Sequence, residues 1–308
     1  MTPQPPTGPG GTAAPATPVT PALSVVRAGA LTTVQDLGRG GRAHLGVPRS
    51  GALDEAAHRL ANRLLGNDEG AATLETTVTG CALRAEGGAV TAAVTGAPCP
   101  VSLDGRPAPW GVPVRVPAGS VLEAGTATYG VRSYVGVAGG IAVEPVLGSR
   151  ATDLLSGLGP DPLRDGCTLP LGDAARTGGG PGPGPDAAPW PAPPRELVLP
   201  VVPGPRTAWF TPGALRTLTT GTFRVSPASN RIGLRLEGPR LERAVEGELP
   251  SEGMPLGALQ VPPEGRPVVF LADHPTTGGY PVVGVVPERA LAAAAQAPPG
   301  TPVRFTPA

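Results

Sequence analysis

Two short polar segments of this sequence hold side chains that can bind a small polar substrate. The first, residues 32–40, contains Gln35, Asp36 and Arg39 beside two glycines, a context that predicts a loop with a fixed backbone shape. An arginine can hold a carboxylate or phosphate through two parallel hydrogen bonds. The segment therefore predicts a site for a small amide or carboxylate, unless Asp36 and Arg39 form an ion pair that closes a turn.

The second segment, residues 271–281, begins at the end of an apolar run, so Asp273 and His274 are expected to emerge at a sheet end. Both side-chain types commonly act as general acid or base. Thr276 and Thr277, followed by two glycines, offer hydroxyl and backbone N–H groups that can hold an anion. A polar loop that binds no ligand fits the same pattern, and the motif alone leaves both interpretations open.

Three further polar residues lie in predicted secondary structure. Asp54 is in the first turn of a predicted helix, where the helix dipole already explains a carboxylate, and His58 is expected to be a structural histidine of that helix. Glu75 interrupts an apolar strand, and a buried carboxylate is costly unless it is paired, so we expect Arg39 as its partner. No Gly-x-Ser-x-Gly or His-Glu-x-x-His motif occurs, and no metal ligand is predicted.

The absence of lysine excludes several kinds of chemistry. All 24 basic residues are arginine, which excludes a lysine Schiff base, a phosphate-binding loop of the Gly-Lys-Ser/Thr type, and biotin attached covalently to this chain. The 24 acidic residues balance the charge and no basic run occurs, so neither composition nor charge favours a nucleic-acid partner. The 3 cysteines form no Cys-x-x-Cys pair, and no signal peptide or membrane span is recognisable, which indicates a cytoplasmic protein.

The 46 glycines and 43 prolines are concentrated at two places in the chain. We predict a disordered Pro-rich tail over residues 1–21 and a Gly/Pro-rich linker over residues 173–195, because such compositions cannot bury enough apolar surface to fold. The folded parts are then two subdomains, residues 22–172 and residues 196–308.

Short β-rich runs alternate with turn signals in both subdomains, one of them a long run over residues 74–84. This pattern is typical of barrels and sandwiches and predicts a mainly β fold. A few short helices are expected, over residues 53–65, over residues 287–295, and from Thr211 to near Gly221.

Taken together, the motifs resemble a known family. They are Thr33-Val-Gln-Asp36, Ser50-Gly51-Ala52, Leu74-Glu75, Ser229-Asn230-Arg231, Ser251-Glu252-Gly253, Gln260-Val-Pro262, Asp273-His274 and Thr276-Thr-Gly-Gly-Tyr-Pro281. In this order they are similar to the family named for the second subunit of allophanate hydrolase, also called the KipA or biotin-dependent carboxyltransferase family. The resemblance implies two cyclophilin-like β-barrel subdomains with a few short helices.

The same resemblance implies a function. Stand-alone bacterial members of the family resemble the C subunit of an ATP-dependent 5-oxoprolinase, which opens 5-oxoproline to glutamate only in complex with a KipI-like subunit together with a LamB/YcsF-like subunit. ATP with Mg²⁺ is the implied cofactor, at a site shared with a partner protein. Two alternatives stay open: a carboxyltransferase subunit that moves CO₂ from carboxybiotin to urea or a related amide, and a KipA-like regulatory binding protein.

Roles for individual residues follow from the resemblance and from residue type. Asp273 or His274 is expected to act as acid or base, and Arg39 or Arg231 to neutralise a phosphate or the substrate carboxylate. The residues expected to bind substrate are Gln35, Asp36, Asp54, Asn62, Glu75, Asn230, Arg231, Ser251, Glu252, Gln260, Thr276, Thr277, Gly278, Gly279 and Tyr280.

Overall fold

A computed structural model of the chain describes residues 21–173, 187–189, 196–247 and 249–308. The predicted tail over residues 1–21 lies outside the described residues except for Pro21. Of the predicted linker over residues 173–195, only residues 173 and 187–189 are described. The disorder of the tail and the tethering role of the linker therefore stay predictions.

The first half of the chain is built from eleven short strands. They are β1 (Ala22–Arg27), β2 (Thr32–Gln35), β3 (Thr73–Thr77), β4 (Cys81–Glu86), β5 (Val90–Gly96), β6 (Val101–Leu103), β7 (Arg106–Ala108), β8 (Val114–Val116), β9 (Val121–Ala124), β10 (Arg132–Val137) and β11 (Thr168–Pro170). Six of them form one antiparallel sheet in the order β11-β1-β4-β9-β6-β7, and five form a second in the order β2-β3-β10-β5-β8.

Burial along the strands follows from their positions in the two sheets. In β1 the buried Leu23 and Val25 alternate with more exposed residues, as expected for a sheet with one covered face. Strand β10 is buried along its whole length, because β3 and β5 flank it and a helix packs on it. The core between these elements is mainly aliphatic, which agrees with the low aromatic content of the sequence.

Helix α1 (Glu55–Leu65) lies within the predicted range 53–65. Asp54 caps its N-terminus, since its carboxylate accepts a hydrogen bond of 3.1 Å from the backbone N–H of Ala57. At the other end Gly66 adopts the left-handed conformation, φ 67°, that commonly closes helices. The helix packs on β5 and β10 and so fixes the segment that leads into it.

The second half of the chain forms a closed seven-stranded barrel, with two further strands beside it. The strands are β12 (Leu197–Pro203), β13 (Phe223–Val225), β14 (Gly233–Glu237), β15 (Glu252–Gly253), β16 (Ala258–Gln260), β17 (Val268–Phe270), β18 (Thr277–Gly278), β19 (Val282–Val285) and β20 (Pro302–Pro307). The barrel order is β12-β19-β16-β17-β14-β13-β20, closed by the parallel pairing of β12 with β20, and β15 pairs with β18 separately.

Two helices accompany the barrel, and both were indicated by the sequence. Helix α2 (Pro212–Thr220) has Thr211 as its N-cap, with the side-chain oxygen accepting from the N–H of Ala214 at 3.1 Å. Helix α3 (Leu291–Ala295) follows a single turn of 3₁₀ helix over Glu288–Ala290. None of the helices in the described part of the chain is long and apolar enough to cross a lipid bilayer.

The prediction of a mainly β fold with a few short helices is confirmed, with two local corrections. The run over residues 74–84 is two strands, because Val78 and Gly80 take positive φ values of 58° and 63° and turn the chain between β3 and β4. The segment interpreted as a loop over residues 32–40 begins with strand β2, which pairs with β3. Thr32, Thr33 and Gln35 are polar and so resemble loop residues in the sequence. In the structure they belong to the sheet and are buried.

The two halves are joined by direct contacts. Leu53, at the entrance to α1, belongs to the apolar core of the second half. The backbone N–H of Ser50 donates to the carbonyl of Ala272 at 3.0 Å. Gln296, just after α3, donates to the carboxylate of Asp54 at 2.9 Å. Polar and apolar contacts thus fix the position of the barrel against the first half.

Candidate functional site

A buried ion-pair network lies where the two halves meet. Arg231 is fully buried and holds Asp273 through two parallel hydrogen bonds, from Nε to Oδ2 and from Nη2 to Oδ1, each 2.9 Å. Its Nη1 donates to Oε1 of Glu75 at 2.5 Å, and Nη2 also donates to the carbonyl of Gly51 at 2.7 Å. Glu75 and Gly51 belong to the first half and the other two residues to the second, so the network joins the halves by charge.

The carboxylates of this network have little capacity left for other partners. Oε2 of Glu75 accepts from the N–H of Leu53 at 2.9 Å and from the hydroxyl of Tyr134 at 2.8 Å. Asp273 also accepts from the hydroxyl of Ser50 at 2.8 Å and from the N–H of Leu154 at 3.1 Å. Such complete pairing is what burial of a charge requires.

Electrostatics favour the charged forms in this network. Burial by itself raises the pKa of Glu75, but the nearby guanidinium groups of Arg231 and Arg132 outweigh it and hold the pKa below its ordinary value. Burial likewise lowers the pKa of Arg231, and the charges of Asp273 and Glu75 more than reverse that effect. Glu75 and Arg231 are therefore both charged throughout the neutral range.

Ser50 connects the network to the loop that precedes α1. It adopts a left-handed backbone, φ 55°, which is uncommon for a residue with a side chain. The next residue, Gly51, has φ 93° and passes close to Gly38, so that a Cβ at position 51 would lie 2.8 Å from the nitrogen of Gly38. This close crossing of two loops places the Ser50 hydroxyl between Asp273 and the carbonyl of Thr152, at 2.8 and 2.9 Å.

Three buried polar atoms beside this crossing have no hydrogen-bond partner among the described residues. They are Oε1 of Gln35, Nη1 of Arg39 and Oγ1 of Thr152. All three residues are at most 2% exposed. Unpaired buried polar atoms are rare in folded proteins, and three in one region indicate a place where a polar ligand or water binds.

The paired atoms of the same residues show that the three lie together. Nε2 of Gln35 donates to the carbonyl of Thr152 at 3.0 Å, and Nη2 of Arg39 donates to the carbonyl of the preceding Ala151. Both side chains are thus tied to one short stretch of backbone, and the unpaired atom of each is the neighbour of the atom so tied. We call Gln35, Arg39 and Thr152 the polar trio; it offers one acceptor, one cationic donor and one hydroxyl.

His274 lies near the same carboxylates as Arg39. Its Nδ1 is 2.8 Å from the carbonyl of Pro275, which can only accept, so Nδ1 carries the proton and Nε2 keeps a lone pair. Burial lowers the pKa of His274, only partly opposed by its hydrogen bond to Pro275 and by Asp273. Burial also lowers the pKa of Arg39, partly opposed by Asp153 and other carboxylates. A neutral imidazole with a free Nε2 is chemically suited to accept a proton.

An open cleft lies between the two halves, with Ser50 in its lining. It has a volume of about 310 Å³ and is lined by Ser50 and Leu53 from the first half and by Leu271 and Leu291 from the second, among others. Arg49 at the cleft pairs with Glu55 and, at 2.5 Å, with Glu288 across the two halves. The cleft is large enough for a small ligand and brings solvent to the neighbourhood of the Ser50 hydroxyl.

No metal site is apparent in the part of the chain that the structure describes. It contains no group of three or more histidine, cysteine, aspartate or glutamate side chains arranged to hold a metal ion. Glu75 and Asp273, the carboxylates of the buried network, already accept hydrogen bonds from donors of the protein. The described residues therefore do not fit a resident Mg²⁺ ion.

Comparison with protein families identifies the chain. A family model described as the carboxyltransferase domain, subdomains A and B, matches residues 45–307. The chain belongs to this carboxyltransferase family. The matched range includes the ion-pair network and the residues that line the cleft, whereas Gln35 and Arg39 of the polar trio precede it.

Individual relatives of this carboxyltransferase-family chain differ in length. The C subunit of 5-oxoprolinase from Escherichia coli (strain K12) is 38% identical over 286 residues, which cover 92% of this chain and 90% of that protein. Urea amidolyase of Lachancea kluyveri is 34% identical over 93% of this chain, but the match covers only 17% of the amidolyase. The crystal structure of TTHA0988 superposes with a TM-score of 0.83 and 40% identity over 95% of this chain and 57% of that one.

The structure brings together seven of the residues that the sequence singled out for this carboxyltransferase-family protein. They are Gln35, Asp36, Arg39, Glu75, Arg231, Asp273 and His274. Asp36 itself accepts from the N–H groups of Gly38 and Arg150 at 2.8 and 2.6 Å, and from the hydroxyl of Ser149 at 2.6 Å. It therefore shapes the loop, and within the described chain it forms no ion pair with Arg39.

A second set of predicted residues lies at the barrel, apart from the network. Residues 252–253 pair with residues 277–278, and Ser251 and Thr277 are exposed. Glu252 pairs with Arg206, and Nε2 of Gln260 donates to the carbonyl of Tyr280 at 3.3 Å. Gln260 and Tyr280 line a separate pocket of about 440 Å³. Catalytic or binding roles for this set, which also includes Thr276, Gly278 and Gly279, stay predictions.

Three other predicted residues hold local structure. Asn62 donates to the carbonyls of Glu69 and Ala71 and so fixes the loop after α1. Asp54 caps α1, and burial raises the pKa of its carboxyl. Asn230 is exposed, and its Oδ1 accepts from the N–H groups of its own turn.

The expected partner of Glu75 is wrong, and two residues of the site carry no signal in the sequence. Glu75 is buried and paired as expected, but its partner is Arg231, which comes 156 positions later, and not Arg39. Thr152 and Tyr134 carried no local signal, because a single threonine or tyrosine in a β-rich segment is ordinary. The signal that could have found Arg231 is the need of any buried carboxylate for a cation, which left every arginine in the chain as a candidate.

Proposed function

We propose that this chain is the C subunit of an ATP-dependent 5-oxoprolinase, a hydrolase component that acts on a cyclic amide in complex with partner proteins. The observation that carries the proposal is the reciprocal match with the C subunit of 5-oxoprolinase, which spans about nine tenths of both proteins (92% and 90%). The match to urea amidolyase spans 17% of that protein, so most of the amidolyase has no counterpart in this chain.

The polar trio supports a small amide as substrate. A lactam presents an N–H donor beside a carbonyl acceptor, which are the complements of Oε1 of Gln35 and Nη1 of Arg39. Both atoms are buried and have no hydrogen-bond partner among the described residues. An unsatisfied buried donor or acceptor costs about 1–3 kcal/mol of free energy, and a ligand that forms hydrogen bonds with these atoms removes that cost. The hydroxyl of Thr152 can donate or accept and completes a set of three contacts.

ATP would supply the phosphoryl group that makes the lactam carbon open to attack by water. In that reaction the lactam oxygen would gain a bond to the γ-phosphorus as ADP leaves. A first water would add to the ring carbon and the C–N bond would break to leave a glutamyl phosphate, which a second water would hydrolyse to glutamate and phosphate. In this proposal Arg39 neutralises charge on the lactam oxygen, and Nε2 of His274 accepts a proton from water. Asp273 positions Ser50 and Leu154 through its hydrogen bonds.

The Mg²⁺ that accompanies ATP is not assigned to this chain, because its described residues offer no suitable cluster of ligands. We propose that a KipI-like subunit together with a LamB/YcsF-like subunit makes the enzyme complete and holds the nucleotide at least in part. A cytoplasmic location is proposed as well; all three cysteines, Cys81, Cys99 and Cys167, are described and none forms a disulfide.

The proposal is tested by purifying the chain with these two partner proteins and measuring glutamate released from 5-oxoproline and ATP. In that complex Arg39→Gln is expected to lower the rate by roughly 10- to 100-fold, the loss of one hydrogen bond to a charged group. Arg59→Gln is the matched control, because Arg59 lies on the surface of α1 and pairs only with Glu55 and Glu69 among the described residues. Equal rates for both variants would show that Arg39 does not contribute to the reaction.

Carboxyl transfer is the second candidate function, and one observation favours it. The relatives include urea amidolyase at 34% identity over 93% of this chain, so the same domain occurs in a protein that acts on urea. Urea and a lactam share a planar amide, and the polar trio can pair with either. The two functions are separated by their products, which are glutamate and ADP in one case and a carboxylated amide in the other.

A further inference from the structure

A second pocket lies between the two halves, apart from the polar trio. It has a volume of about 170 Å³ and is lined by Thr77 and Arg132 of the first half and by Asn230, Leu234 and Leu271 of the second, among others. Most of its wall is aliphatic, contributed by Val, Leu, Ala and Pro side chains. A mainly apolar pocket with a few polar groups is the usual form of a small-molecule site.

Arg132 is the arginine in the described lining of this pocket, and its guanidinium group lacks one hydrogen-bond acceptor. The residue is 5% exposed. Its Nη1 donates to the hydroxyl of Thr77 and lies 4.0 Å from Oε1 of Glu75, whereas its Nε has no hydrogen-bond partner among the described residues. An N–H of a buried cation without an acceptor is costly, and it is satisfied most readily by an anion.

Glu75 is a counter-charge for Arg132 at a distance of 4.0 Å, but it accepts no hydrogen bond from it. Its carboxylate already accepts hydrogen bonds from Arg231, Leu53 and Tyr134, and the 4.0 Å separation from Arg132 is too long for a hydrogen bond. The negative charge of Glu75 is thus directed mainly to Arg231. Arg132 thus lines an apolar pocket and carries one buried donor, Nε, that has no acceptor among the described residues.

The edge of the pocket contributes a second donor. Asn230 lines the pocket and is exposed, and its Oδ1 accepts from the N–H groups of Ile232 and Gly233 at 2.9 and 3.3 Å. This orientation leaves the Nδ2 amide of Asn230 without a partner in the described part of the chain. The pocket therefore has a buried cationic donor at Arg132 and a neutral donor at Asn230, with apolar surface in the rest of its lining.

We propose that this pocket binds a small monocarboxylate with a compact apolar body, its carboxylate on Nε of Arg132. A ligand with a second acceptor, such as a ring carbonyl, would gain a hydrogen bond from Asn230. 5-Oxoproline belongs to this class, since its five-membered ring carries a carboxylate and a carbonyl. The choice of 5-oxoproline as one of the probes rests on the proposed function. The proposal that the pocket binds a small monocarboxylate does not depend on that function.

The experiment is an NMR titration of the folded chain labelled with ¹⁵N-arginine, following the Nε–Hε signals. Arg132 is assigned by the signal that is lost in Arg132→Lys. The probes are 5-oxoproline, cyclopentanecarboxylate, which lacks the carbonyl, and 2-pyrrolidinone, which lacks the carboxylate. We expect a saturable shift of the Arg132 signal with both carboxylates and none with 2-pyrrolidinone. No shift with either carboxylate, or an equal shift with 2-pyrrolidinone, would overturn the proposal.

A variant at the edge of the pocket gives a test that does not depend on replacing a buried arginine. Asn230→Ala is expected to weaken 5-oxoproline about fivefold, the loss of one neutral hydrogen bond, and to leave cyclopentanecarboxylate unchanged. Equal weakening of both ligands, or of neither, would contradict the contact with Asn230. The two proposals can fail separately. If the isolated chain binds the carboxylates but the full complex forms no glutamate, the 5-oxoprolinase assignment is refuted and the proposed carboxylate site in the pocket is supported.

Discussion

Replacing Glu75 with glutamine is expected to destabilise the protein strongly. Oε1 of Glu75 accepts from Arg231, and Oε2 accepts from Leu53 and Tyr134. A glutamine has one acceptor oxygen, so in either orientation its NH₂ group faces a donor, and Arg231 loses one of its two counter-charges. Breaking a buried ion pair by removing one partner costs about 3–5 kcal/mol, and we expect Glu75→Gln to fall in that range.

The assay is equilibrium unfolding in urea at neutral pH, followed by far-ultraviolet circular dichroism. The matched control is Glu196→Gln, which removes a carboxylate bonded twice to Arg304, at 2.6 Å each, on the protein surface. Solvent screens that pair, so the control should shift the midpoint much less than Glu75→Gln does. Equal shifts of the two midpoints would refute the conclusion that the buried network holds the halves together.

The same comparison has a pH dependence with a defined sign. The pKa of Glu75 is held below its ordinary value of 4.5, mainly because Arg231 outweighs the effect of burial. A group with a lowered folded pKa stabilises the protein above its unfolded pKa, and that stabilisation is lost as the pH falls through the folded value. The difference between wild type and Glu75→Gln should therefore shrink as the solution is made more acidic than pH 4.5.

Two further predictions concern residues around the network. Burial lowers the pKa of His58 from 6.5 to about 4, so the unfolded chain binds a proton first and stability falls as the pH drops from 6.5 to 4. That loss amounts to about 3 kcal/mol, and His58→Gln should remove it from the measured pH profile; an unchanged profile would contradict the assignment. Gly51→Ala should destabilise the protein more than Gly41→Ala in urea unfolding. Both glycines have positive φ, 93° and 77°, but only at position 51 would a Cβ clash, 2.8 Å from the nitrogen of Gly38. Equal costs would show that the loop crossing is not tight.

The fold was predictable where its signals are local. Helix α1 is marked by Asp54 before it and Gly66 after it, and both act as caps in the structure. The Asp104-Gly105 pair turns the chain between β6 and β7 with φ values of 50° and 76°, and Asp-Gly is a local sequence signal for such a hairpin turn. Strand β2 was missed because its threonines and glutamine are polar, and only tertiary contacts explain why they are buried.

The candidate site was predictable in its members but not in their pairing. Gln35, Arg39 and Asp273 could be singled out because each stands in a short polar motif among glycines or after an apolar run. Which residues meet depends on how the two halves pack, and no local pattern encodes the contact of Glu75 with Arg231 across 156 positions. Thr152 is part of the site only because the loop before it is held by Gln35 and Arg39.

The measurement that tests the proposed function most directly is a product analysis of the reconstituted complex. The chain and its two partner proteins are incubated with ATP and 5-oxoproline, and separately with carboxybiotin and urea, and the products are quantified. The proposed function predicts glutamate and ADP in equal amounts from the first mixture, and no carboxylated urea from the second. Carboxylated urea without glutamate would contradict the assignment and establish carboxyl transfer in its place.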